Sequence, residues 1–258
     1  MNDFDIEIIP VLQSNYIYML HDKSSDKSVV IDPSIDKPVL EIINTEKRKL
    51  VAIFCTHRHW DHIGGVMSIK KKTGCAVYGG SIDMDSIPGI DKTLNEGDEV
   101  TFLNNKAKIL FLPGHTTGVT ACYFKDLNKL FIADIIFPMG CGMIFDGKID
   151  DLFNSIERVK KLPKETLLYT GHEYAHGNAR FALTVEPDNK KLLDRFYKVA
   201  EITKNGNPTN PTLLSDELAT NPFMRTDSPE IRKNLDMENA SNLEVFTKLR
   251  QMKDDFSR

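Results

Sequence analysis

The stretch Thr56-His57-Arg58-His59-Trp60-Asp61-His62, followed by Ile63-Gly64-Gly65, decides how the rest of the chain is read. Three imidazoles and a carboxylate fall within six residues. Neutral imidazole and carboxylate are preferred ligands of zinc and borderline metals, so the segment reads as the first half of a metal site. The run before it, Leu50-Val51-Ala52-Ile53-Phe54-Cys55, is apolar, lacks a helical period and is rich in strand-forming side chains, which predicts a buried strand. The histidines therefore begin where a strand ends. In extended chain, side chains at i and i+2 point the same way, so His57 and His59 can reach one ion while Arg58 points elsewhere. Asp61 and His62 follow after the chain has begun to turn, and Gly64-Gly65 permits close backbone approach there. Two ligand pairs that face different directions suggest two metals. The simpler alternatives are a polar surface loop or a single structural zinc, although structural zinc sites usually include thiolates.

Three further apolar runs end in the same manner. Lys108-Ile109-Leu110-Phe111-Leu112 leads through Pro113-Gly114 to His115, Leu130-Phe131-Ile132-Ala133 leads to Asp134, and Thr166-Leu167-Leu168-Tyr169 leads through Thr170-Gly171 to His172. A lone histidine is more often packed or hydrogen-bonded than a ligand, but five of the seven histidines occupy such exits and only His21 and His176 are left over. If the exits lie at one edge of packed sheets, the ligands converge without being close in sequence.

With 258 residues, the chain is long enough for one large domain or a domain with an appendage. A hydrophobic content of 41% and a charged content of 27% are those of a soluble globular protein. The net charge of -4 gives no electrostatic case for nucleic acid. The start, Met1-Asn2-Asp3-Phe4-Asp5-Ile6-Glu7, is acidic and lacks the basic and apolar regions of a secretory signal. No apolar run approaches the roughly 20 residues that span a bilayer. Of the four cysteines, Cys55, Cys75, Cys122 and Cys141, none forms a C-x-x-C pair, so neither a disulfide framework nor a Cys-rich zinc site is expected. A cytoplasmic protein with no membrane partner follows, and no feature demands more than a monomer.

The first part of the chain is written in short strands, at 5–12, 16–20, 28–31, 99–103, 107–112, 120–124 and 129–132, the last four following Ala76-Val77-Tyr78-Gly79-Gly80, with helices expected at 38–45 and 65–73. Beyond Glu173 the pattern turns helical. Helices are expected at 177–185 and at 188–204, the latter with Leu192, Phe196, Val199 and Ala200 on one face and a stop at Asn205-Gly206-Asn207-Pro208. Residues 208–212 read as a turn. Ser228-Pro229 opens a short helix, and Ser241-Asn242-Leu243-Glu244 has the spacing of a capping box before a last helix carrying Leu243, Phe246, Leu249 and Phe256.

T-H-x-H-x-D-H with the later His, Asp and His resembles the metallo-β-lactamase superfamily, whose fold is an α/β, four-layer αββα sandwich with a metal site at one edge. More narrowly, Asn15-Tyr16, Ile31-Asp32-Pro33, residues 56–65 with Trp60, Val77-Tyr78-Gly79-Gly80, Gly140-Cys141-Gly142, Gly171-His172-Glu173-Tyr174 and Asn221-Pro222-Phe223-Met224-Arg225 resemble glyoxalase II, the hydroxyacylglutathione hydrolases. The likeness spans nearly the whole chain. It implies a catalytic domain over 1–173 and a helical, glutathione-binding domain over 174–258. It also implies two divalent ions, zinc first, with iron or manganese compatible with the same ligands. By position, His57, His59 and His115 would hold one ion, Asp61, His62 and His172 the other, and Asp134 would bridge them, with Asp32 orienting the ligands. The implied reaction is hydrolysis of S-D-lactoylglutathione to D-lactate and glutathione, the second step of methylglyoxal removal. Its nucleophile is a hydroxide from a water shared by the two ions, with His57, His59, Asp61 and Asp134 as the catalytic set.

The glutathione half of such a substrate is a flexible anionic peptide. Arg250 and Lys253, at i and i+3 on the last helix, match positions the family uses for its glycine carboxylate, and Tyr174 matches a glutathione-contacting tyrosine. There are departures. Met143 stands where the family usually has Lys or Arg. Phe145 occupies a position that is Tyr in some members and Phe in others. The family's G-D-T-L-F appears as Ala133-Asp134-Ile135-Ile136-Phe137. Retained activity with weaker glutathione binding or a shifted thiol preference is expected. Cys141 between two glycines resembles a nucleophile, but no histidine lies beside it in sequence. The rival reading is a single-iron persulfide dioxygenase of the same superfamily. The complete second set of Asp61, His62 and His172 favours the hydrolase, and the acidic balance disfavours a nucleic-acid-processing member. A non-enzymatic metal binder fits seven candidate ligands least well.

Overall fold

The computed structural model describes residues 4–256, so residues 1–3 of the acidic start lie outside it. The chain divides into two compact units, Met1–Leu112 with Thr117–Ala133, and Pro113–Thr116 with Asp134–Arg258.

The first unit contains β1 (Phe4–Val11), β2 (Asn15–Asp22), β3 (Lys27–Ile31), α1 (Lys37–Thr45), β4 (Lys49–Cys55), α2 (Trp60–Ile63), α3 (Val66–Thr73), β5 (Ala76–Gly80), β6 (Lys92–Leu94), β7 (Glu99–Phe102), β8 (Asn105–Phe111), β9 (Thr120–Phe124) and β10 (Lys129–Ala133). Strands β1 to β6 form one mixed sheet in sequence order, antiparallel through β1-β2-β3 and parallel through β3-β4-β5-β6. The parallel strands β3 and β4 are covered on both faces, which is why they read as continuous apolar runs rather than alternations. One face takes α1 and α3, through Val39, Ile43, Val66 and Ile69 against Val30, Ile53, Cys55 and Val77. On the other face lies the antiparallel meander β7-β8-β9-β10. Edge-on aromatic pairs join the two sheets, Phe54 and Tyr78 with Phe102, Tyr18 with Phe131, and Phe4 with Phe124. Each such side chain contributes roughly 1.5–3 kcal/mol on full burial.

The second unit contains β11 (Ile136–Phe137), β12 (Gly140–Cys141), α4 (Ile149–Val159), β13 (Leu167–Thr170), α5 (Ala175–Val185), α6 (Lys190–Lys204), β14 (Thr212–Leu213), α7 (Leu214–Thr220), α8 (Pro229–Asn234) and α9 (Asn242–Phe256), with a 3-10 turn at Pro222–Met224. Helices α5 and α6 bury Ala175, Ala179, Ala182, Leu192 and Val199 around Met139. The aromatic set Phe153, Phe181, Phe223, Phe246 and Phe256 ties α4, α5, the 3-10 turn and α9 together. The expected strands and the four C-terminal helices are present, with ends displaced by a few residues. Helix α4, the hairpin β11-β12, and α2, β5, β6, β14 and α7 are additions to the expected set. Helix α4 carries Leu152, Ile156 and Val159 on its buried side at i, i+4 and i+7, while the other additions are too short to show a period. Among the described residues no helix is long and apolar enough to cross a membrane.

Candidate metal centre

In the first unit the site begins at the ends of β3 and β4. Asp32, just past β3, is left-handed at φ 51°. Its carboxylate accepts from the Thr56 amide (2.8 Å) and the Thr56 hydroxyl (2.6 Å), and the second oxygen lies 3.0 Å from His62 Nδ1. The Thr56 hydroxyl in turn stands 3.0 Å from His57 Nδ1. The inner nitrogens of His57 and His62 are thereby held by fixed partners. His57 Nε2 lies 3.0 Å from His59 Nδ1, and His62 Nε2 lies 3.7 Å from Asp61 Oδ2. Arg58 does point elsewhere. Its amide and guanidinium both donate to the buried Asp83, at 3.1 and 2.6 Å. Asn15 on β2 donates to Asp61 Oδ2 at 2.9 Å and to the Asp61 carbonyl at 3.0 Å, fixing that carboxylate. The close approach expected at the glycine pair is present, because a Cβ on Gly64 would lie 2.5 Å from the Ser34 carbonyl oxygen.

In the second unit His115, Asp134 and His172 come together. His115 Nε2 is 3.5 Å and His172 Nε2 is 3.2 Å from the same Asp134 oxygen, Oδ2. His115 Nδ1 is held at 2.7 Å by the Met143 carbonyl, and the His115 carbonyl accepts from the Phe145 amide at 3.0 Å. The Ser155 hydroxyl on α4 holds the Pro113 carbonyl at 2.7 Å. Gly142 closes this loop, since a Cβ there would sit 1.9 Å from the Asp134 carbonyl oxygen and 3.2 Å from His115 Nδ1. Beyond β13, Asn210 accepts from the Thr170 amide and hydroxyl, and Glu173 accepts from Thr209, so the turn carrying His172 is tied on both sides.

The donor sets suit metal ions. Donors held at about 2.0–2.2 Å around a tetrahedral ion lie roughly 3.3–3.6 Å from one another, and the donor pairs above span 3.0 to 3.7 Å. A ligating histidine characteristically has its other ring nitrogen fixed by a carboxylate, hydroxyl or carbonyl, as His57, His62 and His115 do. The chain thus carries His/Asp clusters able to bind metal ions. The two histidines outside the expected set have structural partners. His21 bonds Ser28 and Glu7, and His176 stacks on Phe196.

The expected substrate residues lie in the second unit. Met143, Phe145 and Tyr174 are 47%, 64% and 44% exposed. Phe145 meets His115 edge-on at 5.2 Å, and Tyr174 stacks on His172 at 4.9 Å. Arg250 is buried, donating to the Cys141 carbonyl at 2.9 Å and to Asp254 Oδ1 at 2.7 Å. Lys253 is half-buried beside the Phe181 and Phe256 rings. Burial first, and then Arg250, holds its pKa below the usual lysine value. Burial pushes the Cys141 thiol up to about 11 against the pull of Arg250, so it is protonated at neutral pH and unsuited to be a nucleophile. Reading the sequence did not assign the supporting roles of Asn15, Asp83 and Ser155. Asn15 alone had a local signal, its place in the Asn15-Tyr16 pair.

Residues 9–172 match the metallo-beta-lactamase superfamily, and residues 173–256 match the family described as hydroxyacylglutathione hydrolase C-terminus. A hydroxyacylglutathione hydrolase of Methylococcus capsulatus is 43% identical over 248 residues, covering 96% of this chain and 97% of its own. The chain belongs to the hydroxyacylglutathione hydrolase family. A second hydroxyacylglutathione hydrolase, from a Jannaschia species, is 40% identical across 99% of this chain and 100% of its own. The crystal structure of the BLEG-1 B3 metallo-beta-lactamase superposes with a TM-score of 0.67 at 20% identity, covering 86% of this chain and 100% of that one, and shows the shared metallo-β-lactamase fold. As a hydroxyacylglutathione hydrolase family member the chain is a hydrolase acting on thioesters, and the dioxygenase alternative is not favoured.

Proposed function

We propose that this chain hydrolyses S-D-lactoylglutathione to D-lactate and glutathione at a centre of two divalent ions, zinc first, with iron or manganese also accepted by these ligands. The observation that carries the reading is that one Asp134 oxygen lies 3.5 Å from His115 Nε2 and 3.2 Å from His172 Nε2, within reach of a histidine of each assigned set, so that Asp134 would be shared by the two ions. His57, His59 and His115 are assigned to one ion, and Asp61, His62 and His172 to the other. When bound, the pair supplies a water acidic enough to lose its proton at neutral pH and polarises the thioester carbonyl.

The chain's own residues do the rest. Asp32 and Thr56 keep the His57 and His62 rings in register, and Asn15 aims the Asp61 carboxylate. Asp61 and Asp134 supply the carboxylates of the ligand set and, with His57 and His59, make up the assigned catalytic set. Lys253, with Arg250 one turn before it on α9, attracts the glycine carboxylate of the substrate, and Tyr174 offers an aromatic face to its peptide. We assign residues 1–173 to catalysis and 174–258 to substrate binding, and place the protein in the cytoplasm as a monomer.

The test is hydrolysis of S-D-lactoylglutathione by protein of measured metal content, run beside a simple thioester lacking glutathione. Turnover that prefers the glutathione thioester, with two ions per chain, is the expected result. Equal turnover of both thioesters, or one iron per chain with thiol-dependent oxygen uptake, overturns it. The exposed Met143 sets a finer expectation. Met143→Lys restores a cation and lowers KM several-fold with kcat unchanged, the signature of uniform binding. An unchanged KM removes Met143 from the substrate site.

A further inference from the structure

The Asn221-Pro222-Phe223-Met224-Arg225 segment has no part in the proposed chemistry, yet its first residue is wholly buried beside the loop that carries the ligands. Asn221 donates through Nδ2 to the Phe137 carbonyl (3.2 Å), the Gly140 carbonyl (2.9 Å) and Glu217 Oε2 (2.9 Å). The same Glu217 oxygen accepts from the Met139 amide at 2.8 Å. Met139 is left-handed at φ 56°, so this bond holds a turn that a non-glycine residue adopts at a cost. The other Glu217 oxygen accepts from Thr212 at 2.5 Å and from Arg195, which balances the buried charge. Asn178 adds a bond to the Pro138 carbonyl at 3.2 Å. The Phe137, Pro138 and Gly140 carbonyls and the Met139 amide of the buried β11-β12 turn are therefore each met by a buried side chain.

That hairpin begins two residues after Asp134 and is followed directly by Gly142 and Met143. Gly142 packs on the Asp134 carbonyl and His115, and the Met143 carbonyl orients His115 Nδ1. A displacement of the hairpin therefore displaces two metal ligands at once. We infer that Asn221 and Glu217 form a clamp that positions Asp134 and His115 through the β11-β12 hairpin, a role in ligand geometry rather than in substrate contact. The inference rests on the proposed metal centre.

The test compares full-length wild type with Asn221→Ala and the isosteric Glu217→Gln, using Glu186→Gln as a control. Glu186 is a buried carboxylate of similar connectivity, bonded to Arg225, Ser228 and Asn189, and it makes none of the hairpin bonds. Zinc retention is followed by competition with a chromophoric chelator, alongside kcat, KM and melting temperature. Both clamp variants are expected to lose zinc roughly 10-fold or more readily, as outer-shell variants do, and to lose kcat with KM within about twofold. Glu186→Gln is expected to melt earlier while keeping wild-type zinc retention and kcat. Clamp variants that hold zinc like wild type, or a control that loses zinc as they do, overturn the clamp. Should Asn221→Ala fail to fold, Glu217→Gln decides the matter alone. A wild type that binds zinc but does not cleave the thioester refutes the proposed reaction, and zinc retention still judges the clamp.

Discussion

Ala133 sits at φ 51°, in the left-handed region, immediately before the candidate ligand Asp134. An L-residue with a Cβ is disfavoured there by roughly 1–2 kcal/mol relative to glycine, and the sequence resemblance places glycine at this position. The departure at Ala133 is thus a strained backbone beside the proposed metal centre as well as a change of side chain. Ala133→Gly should raise the melting temperature by about 2–4 °C in a chain of this size, read by calorimetry at fixed metal content. No rise would mean that the neighbouring packing, and not Ala133, sets this backbone. Gly142 shows the opposite constraint, because its missing side chain is what lets the loop touch Asp134 and His115.

At the level of elements, α9 opens with the reciprocal bonds of a capping box. The Ser241 amide and hydroxyl donate to Glu244 Oε2 at 2.7 and 2.8 Å, and the Glu244 amide donates back to the Ser241 hydroxyl. These bonds, the Ser241 amide first, hold the Glu244 carboxyl below its ordinary value. A depressed carboxylate stabilises the fold above its unfolded pKa and loses that contribution as pH falls through the folded one. Ser241→Ala should therefore lower the melting temperature by about 2–4 °C at neutral pH, and the gap should narrow as Glu244 protonates in acid. A gap constant with pH would show that the lost cap acts through the helix backbone alone. The capping box was legible because its partners are three residues apart. The strand exits were legible for a related reason, since each candidate ligand follows an apolar run within a few residues. Asn15, Asp83 and Asn221 act on chain 25 to 84 residues away, so no local pattern reports what they hold. Helix α4 is a different case, for its period was present in Leu152, Ile156 and Val159 among charged neighbours.

For the molecule as a whole, the candidate ligands run from His57 to His172, and the proposed centre draws its donors from strand ends far apart in sequence. Ions bound only by the folded chain stabilise it with the logarithm of their free concentration over the dissociation constant. Exhaustive chelation should abolish thioester hydrolysis and lower the melting temperature, with both restored by added zinc. Hydrolysis that survives chelation, with metal absence verified, would remove the ions from the mechanism.

The clamp on the β11-β12 hairpin also bears on how the protein is made. Pro138 is held by a side chain 40 positions later, and Phe137, Met139 and Gly140 by side chains 78 to 84 positions later. At a synthesis rate of roughly 5–20 residues per second, a ribosome needs on the order of 4–16 s to reach them. Through that interval His115 and Asp134 are already in the nascent chain, with the turn that positions them still unfastened. Completion of the proposed metal centre thus belongs after translation of the C-terminal segment, not alongside the emergence of its candidate ligands.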